Sequence, residues 1–510
     1  MRVLLRTDAD SNIGTGHLMR CLALADGLRS EGAECVFLCR GAGLGALGER
    51  IVAGGHGLLT LPPAAANDDG DDLPQLAHAG WLPGGWRNDA AACRLALGSQ
   101  PAADWLVVDH YALDGRWERA MRGVAERIMV IDDLADRQHE CEVLLDQNVL
   151  PDSAGQYQGL VPQGCLLLLG PKYALLRPEF SALGDVAPKA VGCSENLRLL
   201  IMFGGSDPQD LTLRAIKALA RLKWRGPVDV VAGALYGKLP ELAAIVSGLP
   251  QAHLHAPAQK VADLMRAAGL ALGSPGVASW ERCACGLPSI VISVADNQLR
   301  LGESLGRLGA HWYLGKADQV RDDDLDAALA AWIANPLARY GMSSAAAAIC
   351  DGKGVRRAVR RLAAAELDIR PATQDDSQLV YAWRNDERTR RHFFDSGPIE
   401  PATHRSWFSR TLGNADVQLL LVLGRGRVPV ACVRFDYLVE RARLSVYLDP
   451  DLQGHGLGVN AISLACRWLR IRRPDIPVVE ADVLVDNEAS RRAFSAAGFR
   501  QVWSRYEHAQ

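Results

Sequence analysis

The sequence predicts an α/β chain in which two parallel-sheet domains precede a smaller α+β domain. Apolar strand candidates alternate with helical patterns in two consecutive series, and such alternation is typical of a parallel sheet with helices on both faces. From about Asp368 the pattern changes to consecutive antiparallel strand candidates. A chain of 510 residues also exceeds what one hydrophobic core usually organises, so two or three domains are expected.

The first predicted domain covers residues 1–184. Its polar segment PPAAANDDGDD, Pro62–Asp72, is rich in residues that break regular structure and predicts a loop. The strand candidates of this domain are Val3–Leu5, Glu34–Leu38, Trp105–Asp109, Arg127–Ile131, Val143–Leu145 and Leu166–Leu169.

The second predicted domain covers residues 196–360 and follows a lapse of periodicity near Gly184–Asn196. Two similar α/β halves place a cleft between the carboxyl ends of their strands, where open α/β sheets bind ligands. The helix Leu325–Ala334 and the segment up to Ala365 are in a position to cross back over this cleft. The strand candidates are the segment LRLLIMF, Val228–Ala232, His253–His255, Leu270–Leu272, Ser289–Val294 and Trp312–Leu314.

The third predicted domain covers residues 366–510. Its first segment, LDIRPATQDD, predicts a strand, a turn and the start of a helix. The later elements are strands at Gln418–Leu423, Pro429–Tyr437, Arg441–Leu448 and Val478–Val485, a helix through Trp468 and a helix at Glu488–Ala497.

Composition excludes several classes of partner. The net charge of −3 provides no overall positive field for a nucleic acid or an anionic membrane surface. No stretch of about 18 uninterrupted apolar residues is present, and the N-terminus leads directly into a strand instead of a signal peptide. The 12 cysteines are scattered through periodic segments, which predicts reduced core thiols. We expect a soluble cytoplasmic protein that binds neither nucleic acids nor membranes.

The segment RTDADSNIGTGHLMRC, Arg6–Cys21, places His17 where the first strand turns into the first helix. Gly14 and Gly16 allow a tight turn, and apolar residues then recur at helical spacing. Such a turn offers N–H groups to an anion, and a histidine there can exchange protons near pH 7. A dinucleotide-binding motif is excluded, because its third glycine would fall at Met19. His17 is therefore either a cap of the turn or a proton-transfer group.

Polar residues also end the following strands. The segment VVDHYALDGRWE places Asp109 and Tyr111 at the same rim as His17, and IDDLADR, Ile131–Arg137, follows the next strand. Strand-end polar residues often line the cleft in such folds, although each alone could be a cap or an ion-pair partner.

A glycine-containing turn, GGSDP, follows the first strand of the second domain. Its glycines, Gly204 and Gly205, permit close approach of the backbone. Ser206 and Asp207 are residue types that either cap a helix or hold an anion, so both uses remain open.

The segment SPGVASWERCACGLPSIVISVADNQ, Ser274–Gln298, is more specific. Gly276 opens a helix that carries Glu281 one turn later, and Asn297 with Gln298 follows the next strand. A carboxylate at this point can accept hydrogen bonds from both ribose hydroxyls, while the N–H groups of the turn face a diphosphate. Glu281 could also be a first-turn acid that only stabilises the helix dipole.

These motifs, together with DGKGVRR at Asp351–Arg357, resemble the UDP-sugar hydrolase family of pseudaminic acid biosynthesis over nearly all of residues 1–360. That family is related to GT-B glycosyltransferases, so the resemblance implies a GT-B-like pair of Rossmann-type domains. It also implies release of UDP from UDP-2,4-diacetamido-2,4,6-trideoxy-β-L-altropyranose by water, without a metal. His17 would be the catalytic base, with Tyr111 and Asp109 as further catalytic candidates. The implied UDP-binding residues are Gly204, Gly205, Ser206, Ser274, Gly276, Glu281, Asn297 and Gln298.

The segment QGHGLGVN, Gln453–Asn460, lies between a predicted strand and a helix. Its glycines clear side chains from a loop whose amides can hold a pyrophosphate. With VDNEASRRAFSAAGF, IRPATQDDSQLVYAWRND and EPATHRSWF, it resembles the sugar-amine branch of the GNAT acetyltransferases. The resemblance implies acetyl-CoA as cosubstrate. The implied acetyl-CoA-binding residues are Gln453, Gly454, His455, Gly456, Leu457, Gly458 and Asn487.

One position departs from that family. Many members have a tyrosine four residues before the GF pair as general acid to the leaving thiolate, and this chain has Phe494. Tyr447, Ser445 or water could substitute. His392 and His404 are candidate bases for the amine, although a lone histidine is often only structural.

The two resemblances together predict a bifunctional enzyme that acetylates the 4-amino group of UDP-4-amino-4,6-dideoxy-N-acetyl-β-L-altrosamine and then hydrolyses the product. The alternative is a GT-B glycosyltransferase fused to a GNAT acetyltransferase, which would transfer the sugar to an acceptor hydroxyl. A nucleotide-sugar-binding regulatory module with a degenerate acetyltransferase is a third possibility. The sequence does not determine the sugar's stereochemistry, the oligomeric state or the relative placement of the domains.

Overall fold

A computed structural model of the chain describes residues 1–10, 12–41, 44–62, 76–82, 84–148, 153–181, 197–205, 207–233, 236–256, 260–364, 366–454 and 456–502. The chain divides into two compact units, Met1–Ala358 and Val359–Gln510. Of the loop predicted at Pro62–Asp72, all but Pro62 lies outside the described residues. None of the helices among the described residues is long and apolar enough to cross a membrane.

The first sheet of the first unit is parallel, with the strand order β3-β2-β1-β4-β5-β6-β7. Its interior strands are buried because helices cover both faces, as expected for near-continuous apolar runs. The strands are β1 Arg2–Thr7, β2 Glu34–Arg40, β3 Gly57–Leu61, β4 Ala103–Asp109, β5 Ala125–Ile131, β6 Val143–Asp146 and β7 Leu166–Leu169. The helices are α1 Gly16–Ser30, α2 Gly45–Ala53, α3 Gly85–Leu97, α4 Gly115–Ala120, α5 Ser153–Gln156 and α6 Pro178–Ser181.

The second sheet of this unit is also parallel and has the order β10-β9-β8-β11-β12-β13. Its strands are β8 Leu199–Met202, β9 Val228–Val231, β10 Ala252–His255, β11 Leu270–Gly273, β12 Ser289–Ser293 and β13 Trp312–Lys316. The following helices are α7 Leu211–Arg221, α8 Leu239–Ser247, α9 Val261–Ala267, α10 Val277–Ala284, α11 Leu299–Arg307, α12 Asp322–Ala334, α13 Pro336–Ile349 and α14 Gly354–Ala363.

The end of this unit contacts both of its sheet domains. Ser343 on α13 donates a hydrogen bond to the Gly286 carbonyl at 2.6 Å, behind the second sheet. Arg357 donates to the Lys172 carbonyl of the first domain at 2.8 Å. The segment after the second sheet thus reaches the first domain at Arg357, whereas α12 packs on the second domain, where its Asp326 binds Arg221 of α7.

The second unit contains a mixed sheet with the order β14-β15-β16-β17-β18. The first four strands are antiparallel, and β17 pairs with β18 in parallel. The strands are β14 Asp368–Pro371, β15 Val417–Leu423, β16 Pro429–Leu438, β17 Arg441–Leu448 and β18 Val478–Glu480. The helices are α15 Ser377–Asn385, α16 Glu387–Arg390, α17 Pro401–Leu412, α18 Leu457–Arg472 and α19 Glu488–Ala496.

Two strands differ from the sequence prediction. The edge strand β3 was not predicted, because it begins with a glycine and is only partly buried. The strand predicted at Val478–Val485 ends at Glu480, because its pairing with β17 stops at Arg443. The fold class is confirmed as two Rossmann-type α/β domains followed by an α+β domain.

Buried arginines of the first domain are paired with aspartates. Arg6 on β1 is fully buried, and its guanidinium binds Asp8 at 2.6 Å and Asp89 at 2.7 Å. Asp89 also accepts a hydrogen bond from Trp117 at 3.0 Å. The charge of Arg6 is thus compensated within the core, which a buried guanidinium requires.

Candidate functional site

His17 lies at the turn between β1 and α1, as the sequence predicted. Gly14 has a φ of +78°, a conformation that favours glycine, and α1 begins at Gly16. His17 is the second residue of this helix and is buried. The turn therefore fixes the imidazole at the carboxyl edge of the first sheet.

Asp109, the last residue of β4, orients the imidazole of His17. The Oδ1 atom of Asp109 lies 2.6 Å from Nδ1 of His17. Burial would raise the pKa of Asp109, but Arg20 and His17 hold it well below its usual range. An ionised carboxylate only accepts hydrogen bonds, so Nδ1 of His17 donates to it, and the neutral form of the ring has its free lone pair on Nε2.

Arg20 joins two carboxylates beside His17. It donates to both oxygens of Asp109 at 2.7 Å and to Asp133 at 3.1 Å. Arg20 is three residues after His17, so both side chains project from the same face of α1. Arg20 was not among the residues predicted for the site, although its helical spacing from His17 was a usable signal.

Tyr111 lies against the imidazole and donates a hydrogen bond from its hydroxyl to Asp133. The rings of Tyr111 and His17 meet edge to face with their centroids 4.5 Å apart. Burial and the Asp133 carboxylate raise the pKa of Tyr111 well above its usual range. Tyr111 is therefore a neutral hydroxyl group that can bind a ligand but does not ionise near neutral pH.

Two further aromatic side chains enclose this corner. Trp81 stacks on Tyr111 at 5.3 Å between ring centroids and meets the edge of His17 at 5.7 Å. His78 lies 4.6 Å from Trp81 and 5.1 Å from Tyr111. Nothing in the local sequence identified these residues, because their approach depends on the tertiary fold.

The turns of the second domain lie beside the His17 turn within the first unit. A Cβ atom placed on Gly205 would lie 3.4 Å from Thr15 Oγ1, and one on Gly204 would lie 3.9 Å from Ser274 Oγ. A Cβ atom on Gly16 would lie 3.8 Å from a methyl group of Val277, at the start of α10. The predicted diphosphate turns and the His17 turn thus share one region.

Gly276 has a φ of +134° and immediately precedes α10. Only glycine adopts such a backbone readily, so this residue permits the turn into α10, whose first N–H groups have no acceptor within the helix. Ser274 is buried and donates to the Phe203 carbonyl at 3.4 Å.

The structure gives structural partners to several of the predicted nucleotide-binding residues. Glu281 binds Arg177 at 3.0 Å, and Gln298 accepts a hydrogen bond from the Val294 amide at 2.9 Å. Asn297 is exposed, whereas Ser206 lies outside the described residues. Asp207 accepts from the amides of Leu211 and Thr212 and so caps α7.

The predicted pyrophosphate loop of the second unit leads into α18. Gly454 and Gly456 have φ values of +81° and +77°, with open space where a Cβ atom would stand. The backbone conformation favours glycine at both positions, and no side chain occupies the space beside these two residues. Gly458 faces α19, because its Cβ atom would lie 3.5 Å from that of Ala493. This arrangement fits a bound pyrophosphate group.

The other predicted acetyl-CoA residues have different positions. Leu457 is buried, and Gln453 donates to the hydroxyl of Thr389 at 3.1 Å. Asn487 accepts from the Ser490 amide at 3.1 Å and so caps α19. His455 lies outside the described residues.

The strands β17 and β18 separate beside this loop. Their last paired residues are Arg443 and Glu480, whereas β17 continues to Leu448. Ser445 and Tyr447 lie on one face of β17, since side chains alternate along a strand. The backbone of β17 beyond Arg443 is therefore not paired with β18.

Phe494 is buried and packs edge to face on Phe499 with centroids 5.0 Å apart. It has no group that donates a proton to a thiolate. Tyr447 is a partly buried phenol, and this partial burial with the nearby Cys432 raises its pKa well above the usual range. Tyr447 therefore keeps its proton near neutral pH.

The two histidines considered as bases for the amine differ in environment. His404 is buried among the rings of Tyr381, Trp407 and Phe408, and neither ring nitrogen has a hydrogen-bond partner among the described residues. Burial lowers its pKa. His392 is partly exposed beside Arg391, and burial and that charge lower its pKa too. Both rings are thus biased toward the neutral form.

No group of three or more histidine, cysteine, aspartate or glutamate side chains that could hold a metal ion occurs within the described parts of the chain. The metal-free mechanism remains a prediction.

Residues 366–500 match the family model described as "Acetyltransferase (GNAT) domain". An uncharacterized protein of Methanocaldococcus jannaschii is 20% identical over 521 residues, which cover 98% of this chain and 97% of that protein. The UDP-2,4-diacetamido-2,4,6-trideoxy-beta-L-altropyranose hydrolase of Campylobacter jejuni is 25% identical over 224 residues, 44% of this chain and 67% of the hydrolase. The spore coat polysaccharide biosynthesis protein SpsG of Bacillus subtilis is 25% identical over 194 residues, 37% of this chain and 55% of that protein.

Among solved structures, MurG of Acinetobacter baumannii is 15% identical, with a TM-score of 0.48, and covers 71% of this chain and 99% of its own. The chain therefore has relatives named for nucleotide-sugar and polysaccharide chemistry and carries a GNAT acetyltransferase domain at its C-terminal end.

One buried carboxyl near the first site has an unusual pKa. Asp146, the last residue of β6, accepts hydrogen bonds from the Asn148 amide at 2.8 Å and the Tyr157 hydroxyl at 3.1 Å. Burial and the neighbouring Asp133 raise the pKa of Asp146 to about 7. In the folded protein the Asp146 carboxyl therefore keeps its proton up to about pH 7, whereas in the unfolded chain it loses this proton at a lower pH.

This pKa predicts a pH-dependent effect of Asp146→Asn. Between about pH 4 and 7 the unfolded chain binds fewer protons than the folded one, so the wild-type protein loses stability as the pH rises. The asparagine variant lacks this ionisation, so its stability relative to wild type should increase by about 1–4 kcal/mol from pH 5 to pH 8. Denaturant unfolding at both pH values measures the difference. Asp263→Asn, at an exposed position, is the control, and a pH-independent difference for Asp146→Asn would contradict the prediction.

Proposed function

We propose that the protein is a bifunctional enzyme of pseudaminic acid biosynthesis. Its second unit transfers an acetyl group from acetyl-CoA to the 4-amino group of UDP-4-amino-4,6-dideoxy-N-acetyl-β-L-altrosamine. Its first unit hydrolyses the resulting UDP-2,4-diacetamido-2,4,6-trideoxy-β-L-altropyranose to the free sugar and UDP. The observation that carries the hydrolytic half is the His17–Asp109 pair, which lies 2.6 Å apart beside the two glycine turns of the second domain.

The hydrolytic step needs a base that is neutral and correctly oriented. Asp109 holds the Nδ1 proton of His17, and this leaves Nε2 to take a proton from water as its oxygen attacks the anomeric carbon. The bond between that carbon and the diphosphate oxygen then breaks, and UDP leaves with the electron pair. Proton transfer of this kind contributes about 10²–10⁴-fold to a rate.

The leaving diphosphate needs hydrogen-bond donors where its charge develops. The Gly204–Gly205 turn lies near Thr15, and Val277, which directly follows the Ser274–Gly276 turn, lies near Gly16, so both turns are close to the His17 turn. Backbone N–H groups at the start of α10 can stabilise that charge without rearranging. Tyr111 and Trp81 supply the aromatic walls of the same corner.

The acetyl-transfer half is supported by the family match and by the open space beside Gly454 and Gly456, before α18. Gly454 and Gly456 would hold the pyrophosphate of acetyl-CoA through their backbone. The amine nitrogen would attack the acetyl carbonyl carbon, and the carbon–sulfur bond would break. The amine would lose a proton to a base, for which His392 and His404 are the candidates, and the leaving thiolate would be protonated. Tyr447, Ser445 or water remain the candidates for that proton, because Phe494 cannot supply it.

The proposal is tested by incubating the purified protein with acetyl-CoA and the UDP-4-amino-sugar and following the products by mass spectrometry. We expect the acetylated UDP-sugar to appear first, followed by free diacetamido sugar and UDP, without any added acceptor. Release of UDP only when a hydroxyl acceptor is supplied would favour the glycosyltransferase alternative. Absence of acetyl-CoA binding by calorimetry would favour the regulatory alternative.

His17→Ala separates the two reactions. We expect UDP release from the diacetamido substrate to fall by about 10²-fold or more, since the base is lost. Acetyl transfer by the same preparation should be unchanged. His253→Ala, at an exposed position on β10, serves as the matched control and should retain both activities. Normal UDP release by His17→Ala with intact acetylation would refute the assigned role.

Gly456→Ala tests the acetyl-CoA loop. An alanine at a φ of +77° costs about 1–2 kcal/mol and redirects the neighbouring amides, so the KM for acetyl-CoA should rise about fivefold to tenfold. The KM for the sugar should change less. Gly413→Ala is the matched control in the same unit, because Gly413 has a φ of −91° and room for a methyl group. Equal effects of the two substitutions would argue against the proposed loop function.

A further inference from the structure

Arg282 is a buried cation under the predicted diphosphate turn. It lies on α10 and is 3% exposed. Its Nη2 atom donates to the Ser274 carbonyl at 3.0 Å and to the Ser279 hydroxyl at 3.1 Å. Both partners belong to the turn or to the first turn of the helix that follows it. The guanidinium thus contacts the underside of the Ser274–Gly276 turn.

The backbone leaves room for this guanidinium. A Cβ atom on Gly273 would lie 2.9 Å from Nη1 of Arg282 and 2.6 Å from the Met202 carbonyl. Only glycine at the end of β11 therefore allows the arginine to reach the turn. The position of Arg282 is thus fixed by packing on the strand that leads to the turn.

The charge of Arg282 has no carboxylate partner among the described residues, whereas the buried arginines of the first domain have one. Arg6 pairs with Asp8 and Asp89, and Arg20 pairs with Asp109 and Asp133. For Arg282, by contrast, the contacts are a carbonyl and a hydroxyl, and its Nη1 atom has no hydrogen-bond partner within the described part of the chain.

The nearest acid in sequence is already occupied. Glu281 precedes Arg282 directly, but its carboxylate binds Arg177 at 3.0 Å. Burial lowers the pKa of Arg282 to about 10, which reflects the cost of holding an unpaired charge away from water. A buried unpaired charge is unfavourable in the absence of a counter-ion, so a bound anion nearby would offset that cost.

We infer that Arg282 is a positioning residue that supplies the counter-charge for the nucleoside diphosphate bound at the Ser274–Gly276 turn. The inference rests on the proposed function of the first unit, in which this turn faces the diphosphate. Arg282 acts from beneath the turn: it fixes the Ser274 carbonyl and adds its charge to the positive end of α10. The ligand is one whose phosphate groups carry the negative charge. Arg282 should therefore add little to the binding affinity for the nucleoside alone.

The test compares UDP with uridine by calorimetry on the full-length protein. For Arg282→Gln, we expect the Kd for UDP to rise about tenfold or more, while the Kd for uridine changes less than twofold. Arg282→Lys keeps the charge and should retain most of the preference for UDP. Arg307→Gln is the control, because this side chain is exposed at the end of α11 in the same domain and should leave both affinities unchanged.

Thermal unfolding provides a second readout. Removal of an unpaired buried charge should leave the unfolding midpoint of ligand-free Arg282→Gln equal to or above that of wild type. The rise in midpoint caused by UDP should shrink in the same variant. A merely structural role would lower the ligand-free midpoint and weaken UDP and uridine equally, and this result would overturn the inference. If Arg282→Gln fails to fold, the Arg282→Lys variant provides the test. Loss of its preference for UDP over uridine, with folding intact, would also overturn the inference.

Binding of UDP and uridine by the wild-type protein distinguishes an incorrect nucleotide site from an incorrect role for Arg282. If wild-type protein binds neither UDP nor uridine, the proposed nucleotide site itself is wrong. If wild type binds UDP much more tightly than uridine, and Arg282→Gln keeps that same ratio, only the role of Arg282 is wrong.

Discussion

Burial of the Asp109 carboxylate determines how the side chains of the first site are arranged. It ends β4 beside Thr7 of β1, in the interior of a parallel sheet. A carboxylate can remain ionised there only if cations and hydrogen-bond donors surround it, and Arg20 and His17 meet that need from one face of α1. The same contacts fix the direction of the imidazole. Because Arg20 also binds Asp133, and Asp133 accepts from Tyr111, the aromatic wall of the site is held by the same network.

Buried charges are compensated differently in the two halves of the first unit. In the first half, Arg6 and Arg20 are neutralised by aspartates within the protein, so the site geometry exists without a ligand. In the second half, Arg282 is buried with only neutral partners among the described residues. A site of the first kind is preorganised for proton transfer, whereas one of the second kind gains stability when an anion binds. This division matches the proposed roles of base and diphosphate holder.

The sequence predicted the elements whose cause is local. Alternating strands and helices place the residues after β1 and β4 at one edge, so His17, Asp109 and Tyr111 could be grouped without a structure. The partners that depend on tertiary packing could not be predicted: Arg177 binds Glu281, and Trp81 reaches His17 from a distant segment. The cap that Asn487 provides for α19 is a local contact, and its predicted contact with acetyl-CoA stays a prediction. The strand β18 is short because pairing with β17 ends at Arg443, which periodicity alone does not reveal.

The proposed order of reactions places a requirement on the hydrolytic site. Hydrolysis before acetylation would release the amino sugar from UDP and remove the substrate of the acetyltransferase. The site must therefore prefer a neutral acetamido group to an ammonium group. Both carboxylates beside His17 are already paired, Asp109 with Arg20 and His17, and Asp133 with Arg20 and Tyr111. One arginine serves both carboxylates, so the charges of this corner do not by themselves select against an ammonium group. The aromatic faces of Trp81 and Tyr111 suit an acetamido methyl group. Under the proposed order of reactions, these apolar faces rather than the charges would provide the preference for the acetylated substrate.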